Sequence, residues 1–209
     1  MAVGSAGMIP RSRPTVPGVE HGVFMMKKGT DDAADPDMAE LSHRTGILTG
    51  SLVRQVVAEF AINPKGHHGT AHWMRVRANG LLLAEETGAN TKVIEAFALF
   101  HDSKRLNEYE DPEHGKRGAD NAEQYWRQGG LDLDAAEFKL VHSACWGHTY
   151  EDIDDPCITI LTCWDADRLD LGRVGIEPDP ARLFTGPAKR RSMIDWAFGR
   201  SMQWLEQYQ

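Results

Sequence analysis

From about residue 41 onward, apolar residues recur at helical spacing, in blocks separated by cap and breaker residues, and strand–helix alternation is absent. That pattern constrains the fold more than any other feature. Leu52, Val53, Val56, Val57 and Phe60 share one helical face until Asn63-Pro64 stops the run. Gly69-Thr70 opens a second helix carrying His72, Val76, Leu81, Leu82 and Leu83, ending near Gly88. Asn90-Thr91 caps a third, with Val93, Ala96, Phe97 and Phe100. A fourth is expected from about Glu113 to Gln128, closed by Gly129-Gly130. Asp134 starts a fifth, with Phe138, Val141, Ala144 and Cys145, and a last helix is expected from about Ala188 to Gln207. The run Ile158-Thr159-Ile160-Leu161-Thr162 is β-branched enough for a strand, but a lone strand has no partner, so helix is the better reading. The expected fold is an all-α bundle with short connections.

With 209 residues, there is material for one filled core and a tail. Residues 1–40 are rich in Gly and Pro and carry an acidic patch at Asp31, Asp32, Asp35, Asp37 and Glu40, so they read as a flexible leader to a single domain over 41–209. Met1 to Pro17 has no continuous apolar segment of the kind a secretory signal needs, and Met25, Met26 and Met38 leave the natural start open. Nothing approaches the ~20 apolar residues of a membrane span. The net charge of −8 argues against nucleic acid as a partner. Cys145, Cys157 and Cys163 form neither a disulfide framework nor a thiolate metal site, so a reducing cytoplasm is expected. Signatures of dinucleotide binding, P-loop chemistry, zincin proteolysis and the α/β-hydrolase elbow are all missing.

Nine histidines are what remains to explain. His101-Asp102 ends the apolar run Ala96-Phe97-Ala98-Leu99-Phe100, and a carboxylate buried there needs a partner such as a metal ion. The bland alternative is a solvated helix end. His72 lies on the second helix. His68 is four residues earlier and could chelate with it, but it precedes Gly69 and is expected outside the helix, which ranks that pair lower. In Cys163-Trp164-Asp165-Ala166-Asp167-Arg168-Leu169-Asp170, helical phase puts Asp167 on the buried stripe of Ile160, Cys163 and Trp164. Asp165 and Asp170 are out of phase and read as caps or ion pairs with Arg168. His148 shares the stripe of Val141, Ala144 and Cys145, and His114 sits in the first turn after Pro112.

The order His72, His101-Asp102, then Asp167 within Asp-Ala-Asp-Arg-Leu resembles the HD superfamily of metal-dependent phosphohydrolases, whose fold is an all-α bundle. The resemblance covers about residues 65–175. It implies one metal held by His72, His101, Asp102 and Asp167, and a second held by His114 and His148 with Asp102 bridging, as in the dinuclear branch. One or two divalent ions of Mn, Fe, Co, Ni or Zn suit these imidazole and carboxylate donors. Bound ions would supply hydroxide near neutral pH and clamp a phosphoester.

Lys104 and Arg105 follow the His-Asp pair and could stabilise phosphoryl oxygens, with Asp102 in the catalytic group; otherwise they are surface charges at a helix end. Arg168 and Arg173 are similar candidates, with structural ion pairs as the alternative. Nucleotidase-like members often carry Glu where this chain has Arg105, which speaks against a 5′-nucleotidase. The expected substrate is a small phosphomonoester or phosphodiester, with a nucleotide among the candidates. A diiron oxygenase and a non-catalytic nucleotide sensor are the alternatives. Trp126, Trp196 and Trp204 serve either the core or a subunit interface, which leaves a homo-oligomer open.

Overall fold

The structure is a computed structural model that describes residues 46–149 and 157–208. The leader expected over 1–40 lies outside the described residues, as does the first stretch of the expected domain. Among the described residues there are seven α-helices and no strand. They are α1 (Gly50–Ala58), α2 (Thr70–Thr87), α3 (Thr91–Phe100), α4 (His114–Arg127), α5 (Ala135–Gly147), α6 (Ile158–Arg168) and α7 (Arg191–Tyr208). Short 3₁₀ turns at Leu171–Val174 and Pro180–Arg182 join α6 to α7. The all-α reading holds, including α6, whose β-branched run is helical. The last helix begins at Arg191 rather than near Ala188, because backbone turns at Thr185–Lys189 and Pro187–Arg190 take up the preceding residues.

The boundaries follow from local chemistry. Thr49 caps α1 by accepting from Leu52 N–H, and Asn90 caps α3 by accepting from Lys92 and Val93 N–H. Asp134 and Glu137 form a reciprocal capping box on α5. Gly88 closes α2 at φ 72°, a left-handed conformation natural to glycine.

Helix α3 is the axis of the bundle. Every residue from Val93 to Phe100 is buried, and α1, α2, α4, α5 and α6 all pack against it. A helix apolar on all sides belongs inside, and Ala-Phe-Ala-Leu-Phe is such a sequence. Because α3 ends at Phe100, the next two residues, His101 and Asp102, emerge in the middle of the protein. Helix α4 crosses this end closely. A Cβ on Gly118 would come within 2.4 Å of the Phe100 carbonyl oxygen, and one on Gly115 within 2.6 Å of that of Cys145. The two glycines thus let α4 approach the ends of α3 and α5, where the histidines converge.

Candidate metal centre

Four helices and one loop bring the candidate ligands together. His72 comes from α2, two residues inside its start; His101 and Asp102 follow α3; His114 opens α4; His148 caps α5; Asp167 lies near the end of α6. These ligands form two adjacent groups able to hold a metal ion, His72–His101–Asp167 and Asp102–His114–His148, with ligand atoms within 4.8 Å of one another in each. Asp102 joins them. Its Oδ2 faces His72 Nε2 at 3.6 Å and His101 Nε2 at 3.8 Å, while its Oδ1 faces His114 Nε2 at 3.1 Å and His148 Nε2 at 3.7 Å.

The tautomers decide what this arrangement can do. His72 Nδ1–H donates to Asp170 Oδ2 at 2.7 Å, and His101 Nδ1–H to the carbonyls of Phe97 and Ala98. His114 Nδ1–H donates to the Asp111 carbonyl, and His148 Nδ1–H to that of Cys145. With Nδ1 committed as donor in all four rings, each neutral ring presents a bare lone pair at Nε2. Yet His72 Nε2 stands 3.0 Å from His101 Nε2, and His114 Nε2 stands 2.9 Å from His148 Nε2. Two bare nitrogens repel at that distance unless a cation lies between them. Burial pushes His101 down to about 3, so a proton does not fill that role at neutral pH. The 3.0 Å separation is close to that of adjacent ligands each ~2.1 Å from one ion. Asp167 Oδ1, 3.3 Å from His72 Nε2, is buried and accepts no hydrogen bond. A buried carboxylate oxygen without a donor, facing imidazole lone pairs, is what a metal ligand looks like without its ion. The residues fit a divalent cation.

The surroundings fix the ligands in place. Asp170 is almost wholly buried. It takes His72 Nδ1–H and also accepts from Arg75 Nε at 2.6 Å and Nη2 at 3.0 Å, and from the Ser201 hydroxyl at 2.6 Å. Carboxylate–histidine pairs of this kind set ring orientation in metal sites. Asp102 and Asp167 both titrate well below the usual carboxylate range despite burial. For Asp167, the Arg173 guanidinium, with Nη2 3.7 Å from Oδ1, favours the charged form.

Four further cations were expected near the site. Arg105 is buried, with Nη1 3.5 Å from Asp102 Oδ1 and 3.1 Å from His114 Nε2. Arg173 is also buried, with Nη2 3.7 Å from Asp167 Oδ1. Lys104 points elsewhere and pairs with Glu59 at 2.7 Å. Arg168 donates to the Arg182 carbonyl and stacks over Phe184, lining a cavity of about 470 Å³ that also touches His148.

Two residues carry more of the site than their sequence pattern suggests. His68 is outside α2, as expected, but its Nδ1 is 2.7 Å from Asp102 Oδ2, and burial pushes its ring down to about 4. Asp170 pairs with His72 and Arg75, not with Arg168. Asp165 ties down the following loop, accepting from Phe184 N–H and from Thr185 N–H and Oγ1–H. Comparison of the chain with protein-family models, with curated proteins and with solved structures finds no match.

Proposed function

We propose that this protein is a metal-dependent phosphohydrolase acting on a phosphomonoester or phosphodiester, a nucleotide among the candidates, in the manner of the HD proteins that its His72, His101-Asp102 and Asp167 resemble. One observation carries the reading: four imidazoles with Nδ1 locked as donors turn their Nε2 lone pairs on one another beside a buried, unpartnered Asp167 oxygen. His72, His101, Asp102 and Asp167 would hold the ion. When bound, it supplies a water ionised near neutral pH and a Lewis acid for the phosphoryl group.

The chain's own residues provide the rest. Arg105 and Arg173, both buried beside the ligand carboxylates, bind and orient phosphoryl oxygens and offset charge as it builds on them. His68 donates Nδ1–H to Asp102 Oδ2 and so orients that carboxylate among the ligands. Lys104 has no part in this reading, since Glu59 holds its ammonium.

A second reading, a dinuclear iron oxygenase, is favoured by the Asp102–His114–His148 group. Elemental analysis of freshly purified protein, followed by a phosphoester panel with added Mn²⁺, Co²⁺ or Ni²⁺, separates the two. The expected result is metal-dependent phosphate release that Asp102→Ala abolishes along with metal retention, while helical content stays. Tightly held iron with a mixed-valence signal under air, and no phosphate release, would select the oxygenase. Full activity in Asp102→Ala would refute the site.

A further inference from the structure

The two halves of the centre are not equivalent, and Arg105 makes the difference. Its guanidinium is fixed on three sides. Nη2 donates to the Tyr109 carbonyl at 2.6 Å and Nε to the Asn107 carbonyl at 3.3 Å, while Nη1 lies against the His114 ring, 3.1 Å from Nε2 and 3.3 Å from Nδ1, beside Asp102 Oδ1. The loop supplying those carbonyls is built around Asp111. That carboxylate takes both Arg117 Nη2–H contacts at 2.6 Å and Leu106 N–H at 2.9 Å, and its own carbonyl holds His114. Arg105 is therefore seated beside the Asp102–His114–His148 group, with its positive charge against the His114 ring and 3.5 Å from Asp102 Oδ1. The His72–His101–Asp167 group has no such occupant: Asp167 Oδ1 accepts no hydrogen bond, and Arg173 only approaches it at 3.7 Å.

We propose that Arg105 is a resident cation in the second half-site, so that the centre holds one ion tightly and admits a second only weakly. A fixed guanidinium repels an incoming divalent ion across a few ångströms of buried space and competes with it for Asp102 Oδ1. This rests on the metal reading above. It makes the protein a one-ion hydrolytic centre in which a protein cation takes the second ion's place, and it counts against chemistry that needs two irons.

The test is a Mn²⁺ titration of metal-stripped full-length protein at neutral pH, reading free Mn²⁺ by electron paramagnetic resonance. The wild type should bind one ion tightly and a second at least about tenfold more weakly. Arg105→Gln keeps hydrogen-bonding capacity without charge and should tighten the second ion on the order of 10- to 100-fold. Arg105→Lys keeps the charge and should preserve the wild-type pattern. Two ions of equal affinity in the wild type, or a second site unmoved by Arg105→Gln, would overturn the inference while leaving the metal centre standing. No Mn²⁺ bound by wild type or variant would overturn the metal reading itself. Should Arg105→Gln fail to fold, the wild type still decides. At one equivalent of Mn²⁺ an isolated-ion spectrum is expected, and a spin-coupled pair would refute it.

Discussion

Replacing Asp170 by Asn probes how the last helix supports the metal ligand. The Asp170 carboxylate is about 1% exposed and faces the Arg75 guanidinium, itself 7% exposed. It also holds His72 Nδ1–H and the Ser201 hydroxyl, the latter from α7. An amide of the same shape loses the charge, and its NH₂ group must face one of the donors that the carboxylate accepted. Removing one partner of a buried ion pair costs about 3–5 kcal/mol. Against a typical total of roughly 5–15 kcal/mol, that loss is large and still leaves a fold to measure. The effect on metal is separate: a carboxylate supporting a ligand histidine is worth about 10- to 100-fold in affinity. Urea unfolding of the metal-stripped protein measures the first quantity and Co²⁺ or Mn²⁺ titration the second. Ser201→Ala removes one hydrogen bond to a charged acceptor and should cost only about 2 kcal/mol. If Asp170→Asn lost less than about 1 kcal/mol and kept its metal affinity, the buttress described here would not exist.

Cys145→Ser should leave metal content unchanged while costing about 1–3 kcal/mol, because the side chain is fully buried and a hydroxyl is poorly housed there; a fall in bound metal would make Cys145 a ligand. The metal-stripped protein should lose stability as pH falls from about 6.5 toward 4. His68 and His101 are held neutral down to about 4 and 3, whereas the unfolded chain takes up those protons from its ordinary value of 6.5. Two such groups give a slope of roughly 2–3 kcal/mol per pH unit at most. A flat stability profile between pH 6.5 and 5, measured by urea unfolding, would contradict their burial as neutral rings.

The helices were legible because their signals are local. Cap residues, glycine stops and apolar spacing place the starts of α2, α3 and α5 where the structure has them. Helical phase was enough to bring Asp167 toward the core stripe of α6. The same method fails beyond a helix end. His68 precedes α2 and Asp170 follows α6, so the helical phase applied to Asp170 does not hold there, and what both contact is set by the turns at Gly66–Gly69 and Asp167–Asp170. Lys104 and Arg105 show the same limit. As neighbours on a turn they leave the backbone in different directions, one to surface Glu59 and one into the cluster, and composition alone does not tell which. The role of Gly115 and Gly118 was invisible too. Close approach of α4 to two carbonyls is a property of the packed bundle.

The charge of the centre also bears on its substrate. Asp170 and Arg75 cancel within their own pair, leaving Asp102 and Asp167 against Arg105 and Arg173. With the ligand imidazoles neutral, these four groups sum to no net charge. One divalent ion then leaves a local excess of two positive charges in a largely buried site, and two ions would leave four. Excess charge away from water is costly unless an anion accompanies it. A phosphoryl group carries such charge and presents oxygens to metal and guanidinium alike. A neutral substrate would leave the excess in place. On the proposed reading, Arg105 and Arg173 together would favour an anionic ligand, and Arg105 would also weaken a second ion, so the occupancy of the centre and the class of its substrate would follow from one arrangement.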